Sequence, residues 1–381
     1  MPNRTLITRQ DCLDFLTGLK LMGTGGGGSM ENGVELLEGA LEENLELKWI
    51  DPTEMPEDAF SCTVFGSGSL SANIPKCEAE IDHLGEKLGM KNKYGNRAID
   101  AAVRELEIYS GVKIGALVSV ELGPANTAAP VVAAARLGLP VIDGDYSGRA
   151  VPQDMQATYF LKGIKTFPAS IVDWWGDVVI LKEAANAEMG ERIGKLLSIA
   201  SYGKVYMASI LLNAQQTRET VVAGTLTKSL ELGQAVHRAK ESGLDPIQSA
   251  IERLGGWKLF AGEVTGKDWE ENEGNSVGTT HLRGTDVYAN HSMDVFFSNE
   301  NHVVLLDGKP FVSSPDLIIL ANPESGEGFT NTEIKPGDRA VVIGARNIPI
   351  FRSDLALKYF GPRYWGFDCE YIPIETVMQG I

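Results

Sequence analysis

Basic residues are the first shortage in this sequence. It carries 34 lysines and arginines against 51 aspartates and glutamates, for a formal net charge of −17. The basic residues form no cluster, and nucleic-acid binding relies on neutralising phosphates with such residues. We therefore expect no nucleic-acid partner, and the same shortage argues against docking on an anionic lipid surface.

Long apolar runs are missing as well. No window approaches the roughly 18 consecutive apolar residues of a membrane-spanning helix, so no membrane partner is expected. The opening MPNRTLITRQDCLDFL contains no apolar core of a secretory signal. The sequence thus favours a cytoplasmic protein, and its 381 residues favour two domains.

Cysteine and histidine are both scarce, with four and five residues. The cysteines, at Cys12, Cys62, Cys77 and Cys369, form no C-x-x-C pair, which argues against a disulfide framework or a zinc knuckle. The histidines show no H-x-x-H or H-E-x-x-H spacing, so we interpret them as structural or solvated side chains. The cofactor is left unknown, with a divalent metal such as zinc as one option.

What the sequence does contain is a strand–helix–strand unit. Residues 114–120 form a nearly continuous apolar stretch, an alanine-rich helix is predicted over 127–137, and residues 139–142 are apolar again. Asn126 is the predicted cap of that helix. Buried strands with short connections through a helix indicate a parallel sheet.

The second half of the chain has a different pattern. Helices are predicted at 188–200, 218–242 and 246–254, and short β segments separated by turns follow from Trp257 onward. We predict an α/β fold with two domains. The N-terminal domain, residues 1–168, has a mainly parallel sheet with flanking helices. The C-terminal domain, residues 169–381, is helical at its start and then β-rich, as a barrel or sandwich.

Glycine is abundant, and four glycines follow one another directly after Thr24. The run follows a predicted helix and lacks the spacing of a dinucleotide fingerprint or a P-loop. Consecutive glycines permit positive φ angles and expose N–H groups that can hold a carbonyl oxygen or an anion. We predict a substrate-binding loop, with a flexible surface loop as the alternative. Its residues are Thr24, Gly25, Gly26, Gly27 and Gly28.

Polar side chains follow both strands of the strand–helix–strand unit, where ligands of open parallel sheets bind. We predict a substrate-binding role for Asn126 and catalytic roles for Glu121, Asp143, Asp145 and Arg149. Clustered carboxylates can transfer protons or hold a metal that activates water, and an arginine can clamp a substrate carboxylate. The alternative is that the two aspartates cap a helix while Arg149 neutralises them.

These segments together resemble a known family. GTGGGG and the run VSVELGPAN…APVVAAARLGLPVIDGD…GRAVP resemble the N-terminal domain of the DUF917 family, which is named after S-methyl thiohydantoin desulfurase. FFSNEN and SSPDLIILANPESGEGFTNTEIKPGDRAVVIGARNIPIFRS resemble its C-terminal domain. The resemblance covers nearly the whole chain. The family positions carried over are the glycine run, Glu121, Asn126, Asp143, Asp145, Gly148 and Arg149.

The resemblance implies a hydrolase whose small-molecule substrate is a five-membered cyclic ureide, such as an S-methyl thiohydantoin or a hydantoin. Activated water would displace a thiol from the ring carbon or perform a related hydrolysis. Asp143 or Asp145 is the expected base, and the glycine-loop amides are the expected donors to the ring carbonyl. A non-catalytic ligand-binding or partner subunit of a hydantoinase-like assembly is the alternative. We expect a homo-oligomer.

Overall fold

The computed structural model describes residues 4–68, 78–91, 93–272 and 275–380. Eight of the first ten strands form one sheet, in the order β1-β2-β5-β4-β3-β9-β7-β8, and β6 pairs separately with β10. Within this sheet β2, β5, β4 and β3 are parallel, and the remaining neighbours are antiparallel. The ten strands are β1 (Thr5–Leu6), β2 (Leu47–Ile50), β3 (Phe60–Gly68), β4 (Ile114–Val118), β5 (Val141–Ile142), β6 (Gly144–Asp145), β7 (Ala169–Asp173), β8 (Val178–Leu181), β9 (Lys204–Asn213) and β10 (Val222–Ala223).

Helices cover this sheet, with α4, α5 and α7 packed against its strands. Short 3-10 turns lie at Pro52–Glu54, Gly95–Arg97, Asp154–Gln156, Asp286–Tyr288 and Pro349–Arg352. The α-helices are α1 (Arg9–Met22), α2 (Met30–Glu42), α3 (Glu78–Leu88), α4 (Ala98–Ser110), α5 (Pro124–Leu137), α6 (Thr158–Leu161), α7 (Ala187–Ala200), α8 (Ala214–Thr220), α9 (Thr225–Glu241), α10 (Pro246–Leu254), α11 (Asp354–Phe360) and α12 (Ile374–Gln379).

The second sheet is antiparallel throughout, in the order β15-β14-β13-β12-β11-β17-β16. It curls into a half-barrel, so that β14 and β16 come into contact. The predicted fold class, a mainly parallel N-terminal sheet with helices and a β-rich C-terminal domain, is therefore confirmed. The strands are β11 (Trp257–Asn272), β12 (Asn275–Gly284), β13 (Ser292–Ser298), β14 (Glu300–Leu306), β15 (Lys309–Ser313), β16 (Leu317–Ala321) and β17 (Arg339–Ala345).

The helices α1 and α9 pack backbone to backbone. A Cβ atom added to Gly18 would lie 1.7 Å from the carbonyl oxygen of Ser229, and one added to Gly233 would lie 1.7 Å from that of Asp14. Only glycine permits this approach. The layer formed by α1 and α9 lies between the two sheets, because one continuous apolar core joins Phe15 of α1 to Ile343 of the second sheet.

Local sequence signals explain several helix ends. Thr8 and Asp11 form the capping box that begins α1, with each side chain bonded to the backbone of the other. The prediction for α5 needs a correction, because the helix begins at Pro124 and its N-cap is Gly123. Proline suits the first helical position, since its fixed φ fits and its missing N–H is not needed. Asn126 therefore lies inside the first turn.

The predicted single helix over 218–242 is wrong. The chain leaves α8 after Thr220, forms the two-residue strand β10, and starts α9 only after Gly224. Gly224 has a left-handed φ of +81°, which is incompatible with the interior of a right-handed helix. The pairing of Val222 with Asp145 keeps this segment extended. The predicted domain boundary after residue 168 lies just before β7, which extends the first sheet.

Candidate functional site

The candidate site lies where β4 and β5 end, beside the loop between α1 and α2. After β4 the chain passes Glu121 before it enters α5, and after β5 it passes Asp143 and Asp145. The glycine loop touches the start of α5, since a Cβ on Gly27 would lie 2.4 Å from the Cα of Gly123. The structure thus brings the predicted loop and the predicted polar residues to one edge of the sheet.

Asp143 binds the first turn of α9. Its Oδ1 accepts hydrogen bonds from the amides of Leu226 and Thr227 at 3.1 and 3.0 Å, and its Oδ2 accepts one from the Thr227 hydroxyl at 2.5 Å. The Nε of Arg4 lies 3.8 Å from Oδ2. A carboxylate at this place satisfies free amides and complements the positive end of the helix. This is the capping role that the sequence left open as the alternative.

Asp145 is fully buried and has more donors than its neighbour. Oδ2 accepts from the amides of Ser147 and Gly148 at 2.9 and 2.7 Å and from the Ser147 hydroxyl, while Oδ1 accepts from the Thr225 hydroxyl at 2.8 Å. Burial raises the pKa of Asp145 to about 6, although these hydrogen bonds act in the opposite direction. Asp145 therefore fixes the turn after β6 and the start of α9.

Glu121 has the least occupied carboxylate of the three predicted acids. Its Oε1 accepts from the Asn126 side-chain amide at 2.6 Å, and its Oε2 accepts from the Val151 backbone amide at 2.7 Å. Glu121 is 8% exposed, whereas Asn126 lies on the surface. Burial raises the pKa of Glu121 to about 7, and the charge of Asp145 adds to the shift. The other lone pairs of this carboxylate have no hydrogen-bond donor among the described residues.

Arg149 is completely buried and binds carbonyl oxygens only. Its Nε donates to Ala150 at 3.1 Å, its Nη1 to Asp316 at 3.3 Å and its Nη2 to Asn301 at 2.8 Å. The guanidinium lies 5.2 Å from the centre of the Phe360 ring. Burial lowers the pKa of Arg149 to about 10, so it stays charged at neutral pH. These bonds join the turn after β6 to the second sheet.

The glycine loop contacts its surroundings through carbonyl oxygens. Thr24, Gly25 and Gly27 accept hydrogen bonds at 2.9, 2.8 and 3.2 Å from the amides of Asn301, Asn331 and Asn126. The backbone N–H groups of Gly25, Gly27 and Gly28 have no hydrogen-bond acceptor within the described part of the chain. The φ angles of Thr24, Gly25, Gly27 and Gly28 are +51°, +104°, +85° and +85°.

The structure adds Glu300, which the sequence reasoning missed. Glu300 begins β14, is 3% exposed, and lies against Gly26. Its Oε2 is buried without a hydrogen-bond partner. Burial raises the pKa of Glu300 well above its ordinary range, the charge of Glu121 adds to this, and the charge of Arg149 opposes it. The sequence feature that could have indicated this residue is its place in the FFSNEN block, where an acidic residue begins an apolar strand.

Histidine and cysteine supply no further site among the described residues. His302 is fully buried and stacked on Trp365 at 3.8 Å, and burial lowers its pKa well below the ordinary range. Cys62 is fully buried, which raises its thiol pKa, and Cys77 lies outside the described residues. In the described ranges no three His, Cys, Asp or Glu side chains are grouped to hold a metal ion. None of the described helices is long and apolar enough to cross a membrane.

Comparisons with known proteins agree on the family and the fold. The family model described as the S-Me-THD-like N-terminal domain matches residues 10–183, and the model of the C-terminal domain matches residues 185–374. The crystal structure of a protein from Chromobacterium violaceum is similar, with 21% identity and a TM-score of 0.76. The match covers 98% of this chain and 100% of that one, which shows a shared fold. No curated protein matches the chain.

Proposed function

The chain belongs to the S-methyl thiohydantoin desulfurase-like family, and from this premise we propose that it is a hydrolase of a five-membered cyclic ureide. The proposed substrate is an S-methyl thiohydantoin or a related hydantoin. Water would replace the methylthio group on the ring carbon, which releases methanethiol and leaves a hydantoin. The observation that carries the proposal is the buried Glu121 carboxyl at the end of β4, next to the glycine loop.

Glu121 has the properties of a general base for water. The Asn126 amide and the Val151 N–H hold the carboxylate in place and stabilise its charge, and lone pairs remain for a water molecule. A base works best when its pKa lies near the working pH, and burial brings the pKa of Glu121 to about 7. Glu121 therefore suits proton transfer better than Asp143, whose oxygens are engaged with α9, or Asp145, whose oxygens are engaged with α9 and with the turn after β6.

The other predicted residues receive supporting roles in this proposal. The N–H groups of Gly27 and Gly28 are free to donate to the ring carbonyl or to negative charge that develops in the reaction. Asp143 and Asp145 position the end of β5 and the first turn of α9. Arg149 supplies positive charge behind the carboxyls, while its donors stay on backbone carbonyls. We also propose that the protein works as a homo-oligomer in the cytoplasm.

Steady-state assays of purified protein test the function. S-methyl thiohydantoin and hydantoin are supplied with and without a chelator, and methanethiol release or ring opening is followed. We expect turnover by the wild type and a fall in kcat/KM of about 100-fold or more in Glu121→Gln, which keeps the shape but cannot accept the proton. Glu35→Gln, an exposed substitution on α2, is the matched control and should behave as wild type.

Two results would contradict the proposal. The first is full activity of Glu121→Gln on a substrate that the wild type turns over. The second is the absence of turnover with every ring tested, with or without added divalent metal. Tight binding of a ring without turnover would instead support a non-catalytic ligand-binding subunit.

A further inference from the structure

The side chain of Glu300 packs against the glycine loop in the space that a missing Cβ leaves at Gly26. A Cβ added to Gly26 would lie 1.8 Å from Oε1 of Glu300, 2.6 Å from Cδ and 3.0 Å from Cγ. Gly26 itself is partly exposed, while Glu300 is 3% exposed. The carboxyl of Glu300 is thus covered by the glycine loop at a point where the loop has no side chain.

The surroundings of Glu300 do not favour a carboxylate. Its Oε2 is buried and has no hydrogen-bond donor. Arg149 is the nearby cation, but its donors are engaged with the carbonyls of Ala150, Asn301 and Asp316. The backbone amide of Glu300 itself favours the charged form. An ionised carboxyl with one oxygen buried and unpaired is still costly, whereas the neutral acid can itself donate. Glu121 differs, because two N–H groups stabilise its charge.

We infer that Glu300 is a second catalytic carboxyl of the site, which holds a proton and delivers it to the substrate ring nitrogen. This inference rests on the proposed function, and it divides the chemistry between two glutamates. Paired carboxyls whose environments separate their protonation states are suited to acid and base roles. Burial and the neighbouring Glu121 raise the pKa of Glu300 well above its ordinary range, in agreement with this division.

The proposed steps conserve atoms, protons and electrons. Glu121 takes a proton from water as the water oxygen bonds to the ring carbon, and Glu300 gives its proton to the adjacent ring nitrogen. The tetrahedral intermediate then loses its hydroxyl proton to Glu300 as the carbonyl forms and the carbon–sulfur bond breaks. The leaving methanethiolate takes the proton held by Glu121. Both glutamates return to their starting states, and no oxidant or reductant is needed.

The charged groups around Glu300 set its titration. Glu121 and Arg149 act on it directly, in opposite directions. Two further groups lie next to Arg149, namely the neutral His302 on β14 and the Asp316 carboxylate before β16. Asp316 is engaged with Arg352 and Tyr371. A loss of activity at high pH is therefore expected from ionisation of Glu300.

The test compares pH profiles of Glu300→Gln, Glu300→Asp and the wild type on the turned-over ring substrate. We expect kcat to fall about 100-fold in Glu300→Gln, with loss of the alkaline limb and retention of the acid limb. Glu300→Asp should keep the alkaline limb, because it retains a proton. A purely structural Glu300 would leave both limbs in place. Retention of both limbs in Glu300→Gln would overturn the inference, while an inactive wild type would overturn the proposed function itself.

A spectroscopic measurement on the wild type needs neither activity nor a stable variant. At about pH 8, where ordinary carboxyls are ionised, the infrared spectrum of the wild type should show the band of a protonated carboxyl. The difference between spectra recorded in water and in heavy water should show this band shifting. Where Glu300→Gln folds, the band should be missing from that variant. Absence of the band in the wild type, or its persistence in the variant, would overturn the inference.

Discussion

At the scale of single residues, the number of donors distinguishes four buried carboxyls. Asp145 accepts four hydrogen bonds, Asp143 three and Glu121 two, while Oε2 of Glu300 accepts none. Burial favours the neutral form of every carboxyl, and each donor to the charged form opposes it. The two aspartates are therefore suited to structural bonds, Glu121 to accepting a proton, and Glu300 to holding a proton that it can donate.

The first residue-scale prediction concerns Asp143→Asn. The substitution places an amide where three donors require an acceptor, so it weakens the link between β5 and α9. We expect the free energy of unfolding to fall by about 1–3 kcal/mol, as measured by urea denaturation. Asp58→Asn, on the exposed surface, is the control and should change stability by less than about 0.5 kcal/mol. Equal stabilities of the two variants would contradict the capping role.

At the scale of elements, the contact between α1 and α9 determines where the glycine loop lies. The loop follows α1 directly, and α9 begins on Asp143 at the end of β5. A shift between these helices would therefore move the loop relative to the strand ends. Gly18, the single glycine of α1, gave no such indication, because a glycine inside a helix does not identify the element that packs against it.

The element-scale prediction compares two glycines that both lie inside helices. Gly18→Ala places a Cβ 1.7 Å from the Ser229 carbonyl, so α1 and α9 must separate. We expect a loss of about 1–3 kcal/mol or more of unfolding free energy. Gly39→Ala in α2 meets nothing within 4 Å and should stabilise by about 0.5–1 kcal/mol, because alanine is the better helix former. Thermal unfolding of the two variants in opposite directions confirms the contact, and a stable Gly18→Ala contradicts it.

Sequence reasoning succeeded for elements whose signals are local. The apolar stretch of β4 and the alanine-rich helix α5 were both readable from neighbouring residues. The break at Gly224 was not readable, because β10 exists only through pairing with β6, which lies far away in sequence. Tertiary pairing there overrides a continuous helical pattern.

At the scale of the whole molecule, the buried acids make stability depend on pH in an unusual direction. Between the ordinary and the raised pKa values, the folded protein binds more protons than the unfolded chain, so stability falls as the pH rises. These acids include Glu121, with a pKa of about 7, and Asp145 and Asp154, each with a pKa of about 6; burial also raises the pKa of Glu300 well above its ordinary range. The net charge of −17 adds repulsion at high pH.

We therefore predict greater stability in mild acid than at neutral pH. Urea denaturation should give a free energy of unfolding about 2 kcal/mol or more higher at about pH 5 than at about pH 8. Half-buried carboxyls with lowered pKa values, such as Asp51 and Glu375, act in the opposite direction, and the stability that they contribute is lost only below about pH 5. Glu300→Gln should reduce the slope. A free energy of unfolding that rises steadily to pH 8 would contradict the prediction.

The site itself could be predicted only in part. Glu121, Asp143 and Asp145 were readable as strand-end acids, because the sheet geometry is implied by the strand–helix–strand unit. Their different roles were not readable, since α9 supplies all three donors to Asp143 and one of the four donors to Asp145 from about 80 residues away. Glu300 was missed for the same reason, because only the folding of the second sheet against the glycine loop places it there.

The most direct test of Glu121 as the base is the pH dependence of kcat/KM for methanethiol release from S-methyl thiohydantoin by the wild type. We predict an acid limb that is half-maximal near pH 7, because a protonated Glu121 cannot accept a proton from water. Wild-type activity should fall below this pH, and the residual activity of Glu121→Gln should lack this acid limb. A profile that is flat between about pH 5 and pH 8, or an unchanged acid limb in Glu121→Gln, would contradict this role.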